Sequence, residues 1–453
     1  MDCRIARYLA VVSLIGLSAC RGEELDSCGG EGPNMEHVRV EDGAERPVAT
    51  VCDGDPMAQW LGIEAPLPPA ELLEPPSVVW TDVDDTASLL EAVNEGAPHI
   101  RLASGSYGAE GLDQDFLQIR GQQLWAAEPG KVRLEFGVQA GGNNEGGKDF
   151  GGSELHGLVF DIHDPSWAAA TTKERAAIVA WGGATGLVVE DCEIFGNSVL
   201  SAGIYISSPD ASSIARVRIT NTRRWGILIV GETPSAAAEI EDVQVIGVHG
   251  HKHSDAGVGL RLGATAHVRR VLVREARFAG IATLDNSAGT TLSHIDIDTI
   301  GLGQHARGGG VGVYFDDTTR DTVLENFCIG PTTKIAVNSE WDHHPDAQLA
   351  HPRGVDNVVR HGLSDAWFVG VHFDQGTVNG EVHDVVFRGY ERAAIIFHNN
   401  VSAEELWPNY DDGSHQHDNV FEVPQADGEV CDLTYTIWNS AGPVACVGGS
   451  EAC

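Results

Sequence analysis

The stretch from Gly186 to Leu284 repeats, and a repeat of this size decides what the chain can become. Four units follow one another: LVVEDCEI then GIYI, SIARVRI then GILI, EIEDVQV then GVGLRL, HVRRVLV then GIATL. In each, two short alternating apolar runs flank a tight turn, a variable loop follows, and Gly opens a third apolar run. No helical period fits, whereas apolar residues at every second position suit half-buried strands. Strands this short cannot bury an apolar face alone, so the units must stack.

The last apolar residue of the second strand serves as a ruler: Phe160, Ile194, Ile219, Val245, Val273, Ile297, Ile329, Leu363 and Phe387. Successive spacings are 34, 25, 26, 28, 24, 32, 34 and 24 residues, so the longer units carry insertions. From Ile219, Val273, Ile329, Leu363 and Phe387 the next strand residue lies eight positions on, at Ile227, Ile281, Val337, Val371 and Ile395. From Val245 and Ile297 it lies 13 and 14 on, at Val258 and Val311. The insertions therefore collect mostly in one loop of the coil.

The ends read differently. Residues 1–19 have the proportions of a signal peptide, with Arg4 and Arg7 ahead of an apolar run from Tyr8 to Leu17 that is too short to remain as a spanning helix. Leu17-Ser18-Ala19-Cys20 resembles the bacterial lipobox, which implies a diacylated Cys20 and an exported lipoprotein held at the outer membrane or cell surface. An ordinary secretory signal is the alternative. Of nine Cys, those left after Cys3 and Cys20 include Cys28, Cys52, Cys431, Cys446 and Cys453, natural disulfide partners outside the cytoplasm. Cys192 shares an alternation face with Ile194, which predicts a buried free thiol.

Residues 20–77 read as a lipidated tether with a small Cys-containing lobe, ending in the Pro-rich linker APLPPAELLEPP. Residues 78–400 hold the repeats, and 401–453 read as a C-terminal cap with a Cys-rich tail. Leu89, Leu90 and Val93 lie at helical spacing between Thr86 and Asn94, as a helix closing the open end of a strand stack requires. The net charge of -37, from 66 acids against 29 bases, opposes nucleic acid as a partner.

A capping helix, then HIRLASGSYG, then coils ending in GIxI resemble the right-handed parallel β-helix proteins of the pectin-lyase-like superfamily. The resemblance implies an all-β solenoid of about ten to eleven coils, working as a monomer. In this register the tight turn holds Asp191, Arg216, Asp242, Arg270, His294, Asn326, Arg360 and Asp384, each three before its anchor. In enzymes of the superfamily the variable loop and the GIxI strand form the substrate groove. The fold also carries lyases, hydrolases, epimerases and inert surface proteins, so the activity must come from the site.

Residues 216–277 reverse the sign of the chain, with Arg216, Arg218, Arg223, Arg224, Lys252, Arg261, Arg269, Arg270, Arg274 and Arg277 against six acids. A stripe of guanidinium groups suits glycan carboxylates or sulfates, which it pairs bidentately; the alternative is that these residues solvate outward strand faces. The loop VHGHKHSDAG places His249, His251 and His253 at alternate positions beside Lys252 and Asp255, a set suited to a metal or a general base. On the groove strands, Tyr205, Arg261, Tyr314 and His372 are expected to face outward, with Arg223, Arg224, His305 and Arg307 on the loops. Asp285, Asp316, Asp317 and Asp374, with Asn338 on the coil between the last two, form a column where these strands end; Ca2+ is the cofactor its carboxylates would take. A structural role in turns is the alternative.

These residues favour a polysaccharide lyase acting on a uronic acid glycan. Arg223, Arg277 and Arg307 would neutralise the carboxylate, and Lys252 or His251 would abstract the proton. Two readings compete: a non-catalytic glycan-binding or structural lipoprotein, and a glycoside hydrolase using Asp255 with Asp316 or Asp285.

Overall fold

The computed structural model describes residues 64–70 and 76–398, apart from 113–114, 142–150, 170–174, 182–184, 208–209, 232–235, 251–256, 285–286, 302–309, 317–318, 340–353, 374–376, 378 and 389–392, and beyond them 415–421, 435–439 and 442–446. The signal segment, Cys20, Cys28, Cys52, Cys431 and Cys453 lie outside the described residues.

The strands stack in parallel as a right-handed β-helix, forming one sheet of 18 described strands and a second of 13. The N-terminal end is closed by the helix Thr86–Asn94. Its start is set by a capping box in which the Asp85 carboxylate accepts from the Ser88 N–H at 2.7 Å while the Ser88 hydroxyl lies 3.2 Å from the Asp85 N–H. Leu89 and Ala92 turn from this helix into the core.

The ruler residues pair coil to coil: Phe160 with Ile194, then Ile219, Val245, Val273, Ile297 and Ile329. At the next coil the register departs from the sequence expectation. Ile329 pairs with Ser364, which pairs in turn with Phe387, so Leu363 belongs one position earlier, beside Cys328. Val258 and Val311 also shift: they pair with Trp225 and Ala279, two residues ahead of Leu260 and Val313, the partners of Ile227 and Ile281.

The Gly of the GIxI motif exists because successive coils leave no room for a Cβ. One added at Gly226 would lie 2.6 Å from the Gly259 carbonyl oxygen and 2.5 Å from Val245 Cγ1; at Gly259 it would lie 2.5 Å from the Gly280 oxygen and 2.6 Å from Val273 Cγ1. Each such Gly faces the ruler residue of the following coil.

The tight turn is a column of left-handed residues: Asp191, Arg216, Asp242, Arg270, His294, Asn326, His361 and Asp384 have φ between 50° and 58°. His361 takes the place expected for Arg360, the same slip of one residue that displaced Leu363. Cys192, beside the first of these turns, is buried in the core as a free thiol.

Pro66 and its neighbours do not hang free as a linker. Residues 64–70 lie along the turn column, where the Leu67 N–H donates to Asp242 Oδ1 and the Ala70 N–H to Asp191 Oδ1, each at 2.9 Å.

Candidate functional site

The outer face of the second sheet carries one continuous row, in which Val179, Tyr205, Leu228, Arg261, Ala282, Tyr314, Asn338, His372 and Ile396 share a register position. Alternation sends their neighbours Ile204, Ile227, Leu260, Ile281, Val313, Val337 and Val371 into the core. The sheet is therefore apolar on both sides over part of its length. Val179, Tyr205, Trp225, Leu228, Val258, Ala279 and Ala282 form a second buried cluster outside the solenoid wall. Tyr205 is 6 % exposed and Trp225 and Leu228 are 0 % exposed, so the row is closed there. Arg261, Tyr314 and His372 are half-buried, whereas Ala282, Asn338 and Ile396 are buried, so in its C-terminal half the row opens at alternate members.

Aromatic rings and cations border this open part. The Arg224 guanidinium lies 4.2 Å and that of Arg261 5.8 Å from the Trp225 ring centroid. Phe278 packs against Tyr314 at 5.8 Å, Lys334 lies 5.1 Å over the Phe368 ring, and Trp367 meets Phe368 at 5.5 Å. A cation over a ring face is attracted by the ring quadrupole. His372 Nδ1 lies 2.8 Å from Asn338 Oδ1. A carboxamide oxygen only accepts, so in neutral His372 the proton sits on Nδ1 and Nε2 is the accepting nitrogen.

The row is a line and not a convergent cluster. Arg261, Tyr314 and His372 occur at alternate coils, so neighbouring pairs stand about 10 Å apart, twice the interstrand spacing. Arg277 sits apart from the row, its Nη1 3.5 Å from the Gly250 carbonyl oxygen, at the edge of the loop that leads to Lys252. Arg223 and Arg224 lie half-buried at the entry to the strand Trp225–Val230, their N–H groups donating to Leu200 and Ser201.

The basic stripe divides in two. Arg216, Arg218, Arg269, Arg270 and Arg274 lie on the first sheet, not in the groove, and each is ion-paired. Arg216 clamps Asp191 and Arg270 clamps Asp242 with Nε contacts of 2.6 Å. Arg274 and Asp296 form a buried pair at 2.8 Å. For these five residues the solvating, structural reading is the right one: alternation gives a residue's face but not the carboxylate one coil away that neutralises it. The Asp242 carboxyl resists ionisation by burial, but hydrogen bonds from Arg270 and the Leu67 N–H and nearby positive charge hold it below the usual carboxylate range.

Lys252, His251, Asp255, His305, Arg307, Asp285, Asp317 and Asp374 lie outside the described residues. Of the carboxylate column only Asp316 is described; its N–H donates to the Thr283 carbonyl and its carbonyl accepts from the Thr319 N–H. Among the described residues no three His, Cys, Asp or Glu side chains are grouped to hold a metal ion. Asn338 stands in the strand-end column read from the sequence, and what the sequence did not show is that it orients His372; Phe278, Lys334 and Phe368 were missed.

No protein-family model matches the chain, and no curated protein matches it. Among solved structures it is similar to the catalytic domain of a GH87 alpha-1,3-glucanase in complex with nigerose, with TM-score 0.51 and 11% identity over 81% of this chain and 69% of that one. PfbA, a surface adhesin of Streptococcus pneumoniae, gives TM-score 0.49 and 12% identity over 81% and 93%. A PL6 alginate lyase in complex with a trisaccharide gives 0.43 and 11% over 77% and 90%. The class defined by fold is thus the parallel β-helix.

Proposed function

We propose that the protein binds an acidic polysaccharide along the outer face of its second sheet and cleaves it by β-elimination near Arg277, beside the loop that leads to Lys252. The row of Arg261, Tyr314 and His372, the last held by the buried Asn338, carries the reading. Polar groups strung along one line, between ring-held cations, suit a polymer that meets all of them; a small ligand would meet one or two. The similar glucanase domain is in complex with a sugar, in keeping with this. In the cleavage step a base removes the uronate C5 proton, the C4–C5 double bond forms, and the C4 oxygen leaves with a proton. A cation at the carboxylate makes the C5 proton acidic, the role given to Arg277, with Lys252 or His251 as base.

The spacing of the row favours a second reading, a non-catalytic glycan-binding protein, since its members do not converge. One experiment separates the two: the purified protein is offered uronic acid polymers and neutral glucans, with binding, reducing ends and ultraviolet absorbance followed together. Binding with unsaturated products supports the lyase, and binding with neither product supports the second reading. Reducing ends without unsaturation indicate a hydrolase. Binding to no polymer, or binding that Tyr314→Ala and His372→Ala leave unchanged, sinks the assignment of the face.

A further inference from the structure

Residues 64–70 read Glu-Ala-Pro-Leu-Pro-Pro-Ala. Three prolines fix their own φ, and each restricts the residue before it to extended backbone, so the segment from Ala65 to Pro69 is confined to the polyproline-II region. That helix has three residues per turn and rises about 9.3 Å per turn. The turn column beneath it has a matching period. Asp191 and Asp242 are two coils apart, with Arg216 on the coil between them, which is about 9.6 Å of interstrand spacing. Leu67 and Ala70, three residues apart, therefore meet equivalent groups two coils apart: the Ala70 N–H reaches Asp191 and the Leu67 N–H reaches Asp242, while the Glu64 carboxylate reaches Arg269 at 3.0 Å and Arg270 at 3.3 Å, one coil beyond Asp242.

The acceptors are built alike. In each, the arginine one coil further on grips both carboxylate oxygens, Arg216 on Asp191 at 2.6 and 2.9 Å and Arg270 on Asp242 at 2.6 and 2.7 Å. Each Asp Oδ1 is thus fixed in position before it accepts a backbone N–H. Leu67 shows what is being read: its N–H is held while its side chain remains 53% exposed. Prolines at 66, 68 and 69 carry no N–H, so the segment brings few donors that would need other partners.

We propose that the column from Asp191 to Arg270 is a recognition track for a polyproline-II chain, read by pitch and backbone N–H with one side-chain contact at Glu64, and with residues 64–70 as its ligand in cis. Glu64, where the described segment begins, then lies at the coils of Asp242 and Arg270 and not at the helix-capped end. None of this depends on the polysaccharide reading.

The test uses the full chain and hydrogen exchange at the Leu67 and Ala70 amides, with the exchange of core strands as the check that the solenoid stays folded. Replacing Pro66, Pro68 and Pro69 together by Gly is expected to speed exchange at both amides by more than about tenfold, the size expected for losing a hydrogen bond to a charged acceptor. Leu67→Lys is expected to leave both unchanged. An acetylated peptide with the sequence of residues 62–72, added to the triple Gly variant, is expected to bind and to protect the core amides of residues 240–248. Unchanged protection in the triple variant, or equal loss in Leu67→Lys, overturns the proposal, as does a peptide that fails to bind.

Discussion

Replacing Gly259 by Ala tests whether the GIxI motif is a spacing rule. The added Cβ would lie 2.5 Å from the Gly280 oxygen and 2.6 and 3.1 Å from the two γ-methyls of Val273. Relief by parting the coils is opposed by the ladder hydrogen bonds between the strands Val258–Gly263 and Ala279–Thr283. Overpacking against such a wall costs about 1–3 kcal/mol. The protein itself contains a relaxed version of this contact. Three alanines, Ala177, Ala336 and Ala394, stand in the Gly row, and after Ala336 the ruler residue of the following coil is the small Ser364 instead of Ile, Val or Phe. Gly259→Ala combined with Val273→Ser copies that pair. The double variant should therefore be less destabilised than the sum of the single ones, with a coupling of at least about 0.5 kcal/mol. Urea denaturation measures all four corners of the cycle. Stability of Gly259→Ala equal to the parent, or strictly additive losses, would refute the spacing rule.

Arg274→Ala should cost about 3–5 kcal/mol by urea melts, because it strands Asp296 without its charge partner, whereas Arg274→Met with Asp296→Leu should be close to neutral. Stability should fall in acid: the folded Asp242 and Glu190 carboxyls sit below their ordinary range, the latter through His156, whose Nδ1 lies 3.5 Å away, with Arg216, against burial. Their contribution is complete above the unfolded value near pH 4 and is lost as pH drops through the folded values, so melts from pH 6 to pH 2 should steepen below about 4 and Asp242→Asn should flatten that limb. The Cys192 thiol, pushed up to about 12 by burial, should resist alkylation until the core opens, and its modification rate should track unfolding in urea.

How far the sequence could be read depended on whether a position acts alone or with a partner on another coil. Seven ruler residues from Phe160 to Ile329 were legible because each only has to be apolar. Ser364 was not, since its small size answers Ala336, 28 residues earlier in the chain and one coil away. The five ion-paired arginines fail for the same reason: Asp191 and Asp242 were already placed in the turn, but that each would be clamped by the next coil's arginine is a relation between positions. The Pro-rich tract was legible as stiff, and its docking was not, because the match lies between two periods and not in either segment.

The division of charge then has a physical logic. With 66 acids against 29 bases, most of the chain repels an anionic polymer. On the first sheet the arginines are paired into carboxylates, where Arg270 alone touches Glu64, Glu241 and Asp242. Little positive potential can project from that side. On the second sheet Arg224, Arg261 and Lys334 are seated over Trp225 and Phe368. A ring quadrupole holds a cation in place without cancelling its charge, as a carboxylate would. The same residue type is therefore gripped by the carboxylates of adjacent coils on one face and seated over aromatic rings on the other.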